Sequence, residues 1–281
     1  MEKNDVRSAI AGSGFTFKKK YGQNFITDGA LLDEIVLKAG VDKDTTVIEI
    51  GCGAGTLTRA IANRCKFVYG YEIDTGLKPV LAKTLAGVDN AEVIFKDFTR
   101  IRLDELEKTL PGYRVVANLP YYITTPLIMT FLEHSKKCLS LTVMVQEEVA
   151  LRLCAKPATS DYGAITANVA LRGECQIVRR VGREMFMPSP AVDSAVVRID
   201  LCDSRLPVGD VEAYKSVVRA AFSSRRKTLE NNLMNAFKLS RAQSQEVIAK
   251  CNFAPNVRGE TLSPEQFAIL SDALVDYIKT R

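Results

Sequence analysis

Val47-Ile48-Glu49-Ile50-Gly51-Cys52-Gly53-Ala54-Gly55 is the stretch on which the fold turns. Val47–Ile50 reads as a buried strand, glycines follow at alternate positions, and a helical pattern over Thr56–Arg64 begins at once. Glycine tolerates positive φ and lets a ligand approach the backbone, while the start of a helix offers unpaired N–H groups. The spacing is G-x-G-x-G. Dinucleotide binders show G-x-G-x-x-G, and no Lys-Ser/Thr pair follows as it does in a phosphate loop. Taken alone, the turn also suits a plain strand-to-helix connection.

Outward from the turn the pattern alternates. Phe67–Tyr71, Val93–Phe95, Val115–Ala117 and Leu141–Val145 read as further buried strands. Thr75–Leu85, Leu103–Thr109, Pro126–Glu133 and Glu147–Leu153 carry helical spacing between them. Such alternation predicts an α/β fold, a parallel sheet with helices on both faces. Gln176–Val181 and Ala195–Leu201 add antiparallel strands at one edge. Ahead of the turn, Asp28 caps a helix whose apolar stripe is Leu31, Leu32, Ile35, Val36 and Ala39, and Gly40 ends it. After Pro207 no β-rich run remains. Val211–Ala221, Lys227–Phe237, Arg241–Cys251 and Pro264–Lys279 read as helices, with Ser240 and Ser263 as N-caps. The expected division is therefore residues 1–205 and a small all-helical domain, residues 206–281.

Composition narrows the chemistry. The chain has 281 residues, 38 Lys+Arg against 33 Asp+Glu, seven cysteines and one histidine, His134. A single histidine leaves no His-rich zinc site and little room for a Ser-His or Cys-His pair. The cysteines are odd in number and scattered, without a C-x-x-C, so reduced thiols and a cytoplasmic location are expected. Met1 to Lys20 lacks the apolar core of a secretory signal, and no run approaches the ~20 apolar residues of a membrane span. The net charge of +5 permits a nucleic-acid partner without requiring one.

Two acids give the glycine turn a ligand. Glu72 ends the second strand about 20 residues after the glycines, where a carboxylate accepts hydrogen bonds from both hydroxyls of a ribose. Asp97 ends the third strand and is placed to accept from an adenine amino group. A nucleoside without phosphates, S-adenosylmethionine, suits this set better than a nucleotide. Asn118-Leu119-Pro120-Tyr121 ends the fourth strand. Its amide oxygen and the Leu119 carbonyl form a pair of acceptors for an exocyclic amine, Pro120 fixes the turn, and Tyr121 offers a face to a flat base. Tyr122, pointing the other way in an extended segment, is expected to pack.

These residues resemble the ribosomal RNA adenine dimethyltransferase family. Besides the glycine turn, Glu72, Asp97 and Asn118–Tyr121, the matching segments are Tyr21–Phe25, Val143–Ala150, Tyr162–Ala164, Phe186–Ser194 and Arg225–Leu229. The resemblance runs from Lys20 to about Ala273 and is greatest to the bacterial small-subunit (16S) branch. It implies a Rossmann-like, S-adenosylmethionine-dependent methyltransferase sheet with a small C-terminal helical domain that binds RNA. It implies dimethylation at N6 of two adjacent adenosines in the 3′-terminal hairpin of small-subunit rRNA during ribosome assembly, with no metal. Asn24, Ile26, Gly51, Gly53, Glu72, Asp97 and Asn118 match cofactor-binding positions. Asn118, Leu119, Pro120 and Tyr121 match the target-adenine site, and Phe186 the aromatic that covers the flipped base. Ile26 replaces a family leucine, and Cys52 stands where relatives often have proline and is taken as a space-filler.

Basic residues outside the pocket, Arg225, Arg226 and Lys227 together with Lys18, Lys19 and Lys20, are the expected phosphate contacts. The expected partner is the precursor of the small ribosomal subunit with its rRNA, met by a monomer away from any membrane. Competing readings are a family member acting on large-subunit rRNA, an assembly factor whose methylation is secondary, and a small-molecule methyltransferase.

Overall fold

The computed structural model describes residues 24–26, 28–203 and 205–280. The expectations placed on Lys18–Lys20 and on residues 21–23 fall outside them. In chain order the first elements are β1 (Phe25–Ile26), α1 (Gly29–Lys38), β2 (Thr46–Ile50), α2 (Thr56–Ala62) and β3 (Phe67–Glu72). They are followed by α3 (Lys78–Thr84), β4 (Ala91–Phe95), α4 (Leu103–Thr109), β5 (Tyr113–Asn118) and α5 (Tyr121–His134). Next come β6 (Cys138–Gln146), α6 (Glu147–Leu153), α7 (Ala164–Val169), β7 (Gly173–Val181), β8 (Phe186–Met187) and β9 (Ser194–Leu201). Four helices close the chain: α8 (Val211–Ala221), α9 (Leu229–Phe237), α10 (Arg241–Lys250) and α11 (Pro264–Lys279).

Seven strands form one sheet in the order β4-β3-β2-β5-β6-β9-β7. β4, β3, β2, β5 and β6 are parallel, and β9 runs antiparallel to β6. From β2 the chain moves outward through β3 and β4, then returns to β5 on the other side. Open α/β sheets bind ligands beside such a reversal, at the carboxyl ends of the strands. The register defines that edge: Ile50 lies between Tyr71 and Ala117, so Gly51, Glu72 and Asn118, each one residue further on, reach it together. On one face Leu31, Ile35 and Val36 of α1 and Leu57 and Ile61 of α2 pack against Val47, Val68 and Val116. Asp28 caps α1 by accepting from Leu31 N at 3.0 Å, and Gly40 follows its end with φ 70°.

Three expectations are corrected. The helix expected at Pro126–Glu133 begins five residues earlier, at Tyr121. Proline is favoured in a first turn, but Pro126 lies inside this helix. Here the helix starts directly behind Pro120, whose carbonyl accepts from Ile123 N and the Thr124 hydroxyl at 3.1 Å each. The pattern over Thr75–Leu85 divides into a 3-10 turn, Thr75–Leu77, capped by Asp74, and α3, with Pro79 in its first turn. The domain division also differs. One compact unit holds the residues up to Ala150 with Cys175–Leu201, and the other holds Leu151–Glu174 with the residues from Cys202 onward. The segment 151–174 holds α7, which the sequence pattern did not mark, and its Tyr162, Ala167 and Leu171 share a core with Tyr214, Leu233, Phe267 and Leu274. The Tyr162 and Tyr214 hydroxyls donate to the carbonyls of Leu262 and Ala167 at 2.8 and 2.9 Å.

In this second unit Ser240 and Ser263 cap α10 and α11, each in a reciprocal box with Gln243 or Gln266. Among the described residues no helix is long and apolar enough to cross a membrane, and no cluster of His, Cys, Asp and Glu is placed to hold a metal ion. Gly259 packs directly on α8: a Cβ there would lie 2.7 Å from both the Cβ and the carbonyl oxygen of Ala221. Gly259→Ala is expected to lower stability by about 1–3 kcal/mol through overpacking. The shift of the urea unfolding midpoint measures it.

Candidate active site

A cavity of about 230 Å3 opens at the carboxyl edge of the sheet. All seven residues expected to touch a cofactor line it: Asn24, Ile26, Gly51, Gly53, Glu72, Asp97 and Asn118. Its floor is the glycine turn, where Gly51 and Gly53 have φ of 80° and 55°. Side chains at those angles are strained, and the bare backbone is also required sterically. A Cβ on Gly53 would lie 2.8 Å from the ring of Phe25, which rests on the turn.

β1 forms a wall of the cavity and is held by contacts distant in sequence. It pairs antiparallel with β8, Phe25 opposite Met187 and Ile26 opposite Phe186. The Thr56 hydroxyl donates to the Ile26 carbonyl at 3.0 Å. The Asn118 amide nitrogen donates to the Asn24 carbonyl at 3.0 Å. A carbonyl demands a donor, so this bond fixes which end of the Asn118 amide is nitrogen. The amide oxygen is thereby turned away from Asn24 as an acceptor. Leu119 is buried beneath it and, with the Asn118 carbonyl, backs Gly51.

Glu72 is fixed before any ligand arrives. One carboxyl oxygen accepts from Gly53 N at 2.9 Å and the other from Asp74 N at 2.8 Å. Each oxygen keeps a further acceptor position. Burial pushes its carboxyl above the usual carboxylate range, and the backbone donors of Asp74 and Gly53 oppose that shift. Asp97 accepts from the backbone N–H and hydroxyl of Thr99 at 3.0 and 2.7 Å, capping a 3-10 turn, while still lining the cavity. Capping therefore does not withdraw Asp97 from the cavity lining. Cys52 also lines the cavity, and burial pushes its thiol up, as do the charges of Glu49 and Glu72. A protonated thiol agrees with a space-filling role.

Sequence reasoning passed over the apolar walls. Ile73, directly after the strand-ending Glu72, and Phe98, directly after Asp97, which lies two residues beyond the end of β4, line the cavity with Phe25 and Tyr71. The legible signal was an apolar residue following each of these acids. These surfaces and the paired acceptors fit a nucleoside: apolar walls for a flat base, Glu72 for ribose hydroxyls and Asp97 for an amine.

The aromatic residues are arranged differently from expectation. Tyr122 is exposed at the cavity, because the segment is helical from Tyr121 and strand alternation does not apply. Tyr121 does not line the cavity; its hydroxyl is hydrogen-bonded to Ser194 Oγ at 2.7 Å. Phe186 is buried in the same core as Ile26 and Val181, because the β1–β8 pairing turns it inward. Arg225, Arg226 and Lys227 lie in a turn ahead of α9, which Thr228 caps, so they do not begin that helix. The Arg225 guanidinium pairs with Glu260 at 3.1 Å and donates to the Ser160 carbonyl at 2.8 Å. It thus joins two loops of the helical unit. Arg226 and Lys227 are exposed beside it. His134 ends α5 as an exposed residue.

Comparison with known proteins agrees with this geometry. A family model for ribosomal RNA adenine dimethylase matches residues 14–275. A ribosomal RNA small subunit methyltransferase A of Geobacillus thermodenitrificans is 44% identical, covering 96% of this chain and 95% of that one. A crystal structure of a dimethyladenosine transferase from Plasmodium falciparum aligns with a TM-score of 0.76 at 25% identity, covering 91% of this chain and 98% of the other. The 23S rRNA methyltransferase ErmE aligns with a TM-score of 0.71 at 28% identity, covering 89% of this chain and 99% of its own.

Beneath the glycine turn lies an acid that is not part of the cavity lining. Glu49 is fully buried, and among the described residues neither carboxyl oxygen makes a hydrogen bond of ordinary geometry; the Thr58 hydroxyl and Cys52 thiol are its polar neighbours and partly oppose the effect of burial. Burial pushes its carboxyl up to about 8, and the charge of Glu72 adds to the shift. The folded state then holds a proton that the unfolded chain releases near pH 4.5. Stability should therefore fall as pH rises between those values, by about 1.4 kcal/mol per pH unit for one proton. Glu49→Gln removes this dependence. Urea titrations from pH 5 to pH 8 are expected to show the variant gaining stability on wild type as pH rises.

Proposed function

The chain belongs to the ribosomal RNA adenine dimethylase family, and from that premise we propose that it dimethylates N6 of two adjacent adenosines in the 3′-terminal hairpin of small-subunit ribosomal RNA. The enzyme is a methyltransferase of a class that uses S-adenosylmethionine. The observation that carries the proposal is the Asn118 amide, locked by Asn24 with its oxygen left as an acceptor beside the cavity.

When bound, S-adenosylmethionine supplies a methyl carbon activated by its sulfonium. Glu72 would receive the ribose hydroxyls, Asp97 the adenine amine, and Asn24, Ile26, Gly51 and Gly53 would pack along the rest. Asn118 Oδ1 and the Leu119 carbonyl accept the two N6 protons of the target adenine. That nitrogen is a poor nucleophile, because its lone pair is delocalised into the ring. Acceptors at both protons favour the pyramidal amine that the transition state needs. The proton becomes acidic only after transfer, so neither a tuned base nor a metal is required of the chain. Positioning supplies most of the rate.

The base must leave its stack to reach Asn118. Tyr121 is the aromatic proposed to stack on the base, since Phe186 is committed to the core, while the exposed Tyr122 lines the cavity itself. Arg226 and Lys227, with Lys18–Lys20, would hold phosphates, and binding weakens steeply with salt. Arg225, paired with Glu260, would act by shaping the loop. The small subunit is favoured over the large by the 44% identity, over 96% of this chain, to a ribosomal RNA small subunit methyltransferase A. The enzyme would act as a monomer on the precursor subunit in the cytoplasm.

Asn118→Ala should lower methyl transfer to undermethylated small subunits by about 100-fold or more, the scale of a lost transition-state acceptor. Affinity for S-adenosylmethionine, measured by calorimetry, is expected to change far less. Labelled methyl groups appearing on large-subunit RNA, or an active Asn118→Ala enzyme, contradict the proposed function.

A further inference from the structure

We propose that Ser194 is a positioning residue for methyl transfer, holding the Tyr121 ring in the orientation that receives the target adenine; this rests on the base-stacking role of Tyr121 given above. The contact joins two motifs 73 residues apart in sequence, through a hydroxyl pair at 2.7 Å. Ser194 is wholly buried.

What makes Ser194 suited to this task is how firmly its backbone is held. It is the first residue of β9 and pairs in register with Gln146, the last residue of β6. The residue before it is pinned twice: the Asp193 carbonyl accepts from Glu147 N at 3.1 Å, and its carboxylate accepts from Arg183 N at 3.0 Å. Serine has one side-chain torsion ending in a hydroxyl, so a fixed backbone leaves its oxygen few positions.

Tyr121 is the opposite case. It is the first residue of α5, behind Pro120, and its half-buried ring has two free torsions. The phenolic oxygen lies on the long axis of the ring, so a hydrogen bond there fixes the direction of that axis. Conjugation keeps both the O–H bond and the acceptor direction of the phenolic oxygen near the ring plane, so the direction to Ser194 biases the pitch of the ring whichever hydroxyl donates. A stacking face needs both settings before the base arrives. Without the bond the ring must be ordered at each encounter, which slows the chemical step while leaving the phosphate contacts intact.

The test compares Ser194→Ala, Tyr121→Phe, the double variant and Ser194→Thr, using undermethylated small subunits. Each single variant is expected to lower kcat about tenfold, with KM for the subunit changed by less than about twofold. The double variant should be no slower than either single one, because both remove the same bond. Ser194→Thr restores the hydroxyl and should recover most of the rate. A second readout is the fluorescence of 2-aminopurine at the target position of the RNA hairpin, which reports stacking without turnover. Ser194→Ala and Tyr121→Phe should alter it equally. Tyr121→Phe leaves the buried strand untouched, so the test stands even if Ser194→Ala unfolds. Losses that multiply in the double variant, or a Ser194→Ala enzyme with unchanged kcat, overturn the proposal. If Tyr121→Ala also keeps full activity, the stacking role fails; if only Tyr121→Ala is impaired, the stacking role stands and Ser194 is a packing residue.

Discussion

The hydrogen bond from the Asn118 amide to the Asn24 carbonyl is the constraint on which the site depends. It links residues 94 positions apart and sets which end of the Asn118 amide, a lining group of the cavity, is left as an acceptor. Asn24 can serve only because β1 is held in place, and β1 is held by β8, by Thr56 and by the stacking of Phe25 on Gly53. A two-residue strand has little stability of its own. Its position is therefore a property of the assembled sheet.

Around that bond the structure concentrates acids in a dry setting. Glu72 is made tolerable by two backbone donors, whereas Glu49, one strand over, has none and keeps its proton instead. The difference follows from the cost of burying an unpaired charge. It also separates two acids that the sequence leaves alike: one is poised to accept from a ligand, and the other fills the space under the turn. Gly70 provides part of that space, since a Cβ there would lie 2.5 Å from Cys52 Sγ.

Most strands of the large sheet and the polar lining of the cavity were legible in the sequence because each depends on local pattern, whereas the two-residue β1 and β8 and the apolar walls were not. Val47–Ile50 and Phe67–Tyr71 announce themselves by apolar runs, Glu72 and Asn118 end strands, and the glycines and Asp97 follow within a few residues of strand ends. What escaped was set by partners far along the chain. Phe186 turns inward because of its register with Ile26, and Tyr121 turns toward Ser194. Residues 151–174 join the helical unit through Tyr162 and Leu171. Arg225 pairs with Glu260, a partner 35 residues further along that local pattern does not show. A basic triplet in a sequence shows charge and hides which members are already paired.

The central claim, adenine N6 dimethylation in small-subunit RNA, is tested most directly by mass spectrometry of the product. Undermethylated small subunits would be incubated with the protein and S-adenosylmethionine, and the rRNA digested and mapped. The account predicts dimethyladenosine at two neighbouring positions of the 3′-terminal hairpin and unmodified adenosine elsewhere. Modification of another base, or of adenosines outside that hairpin, would contradict it.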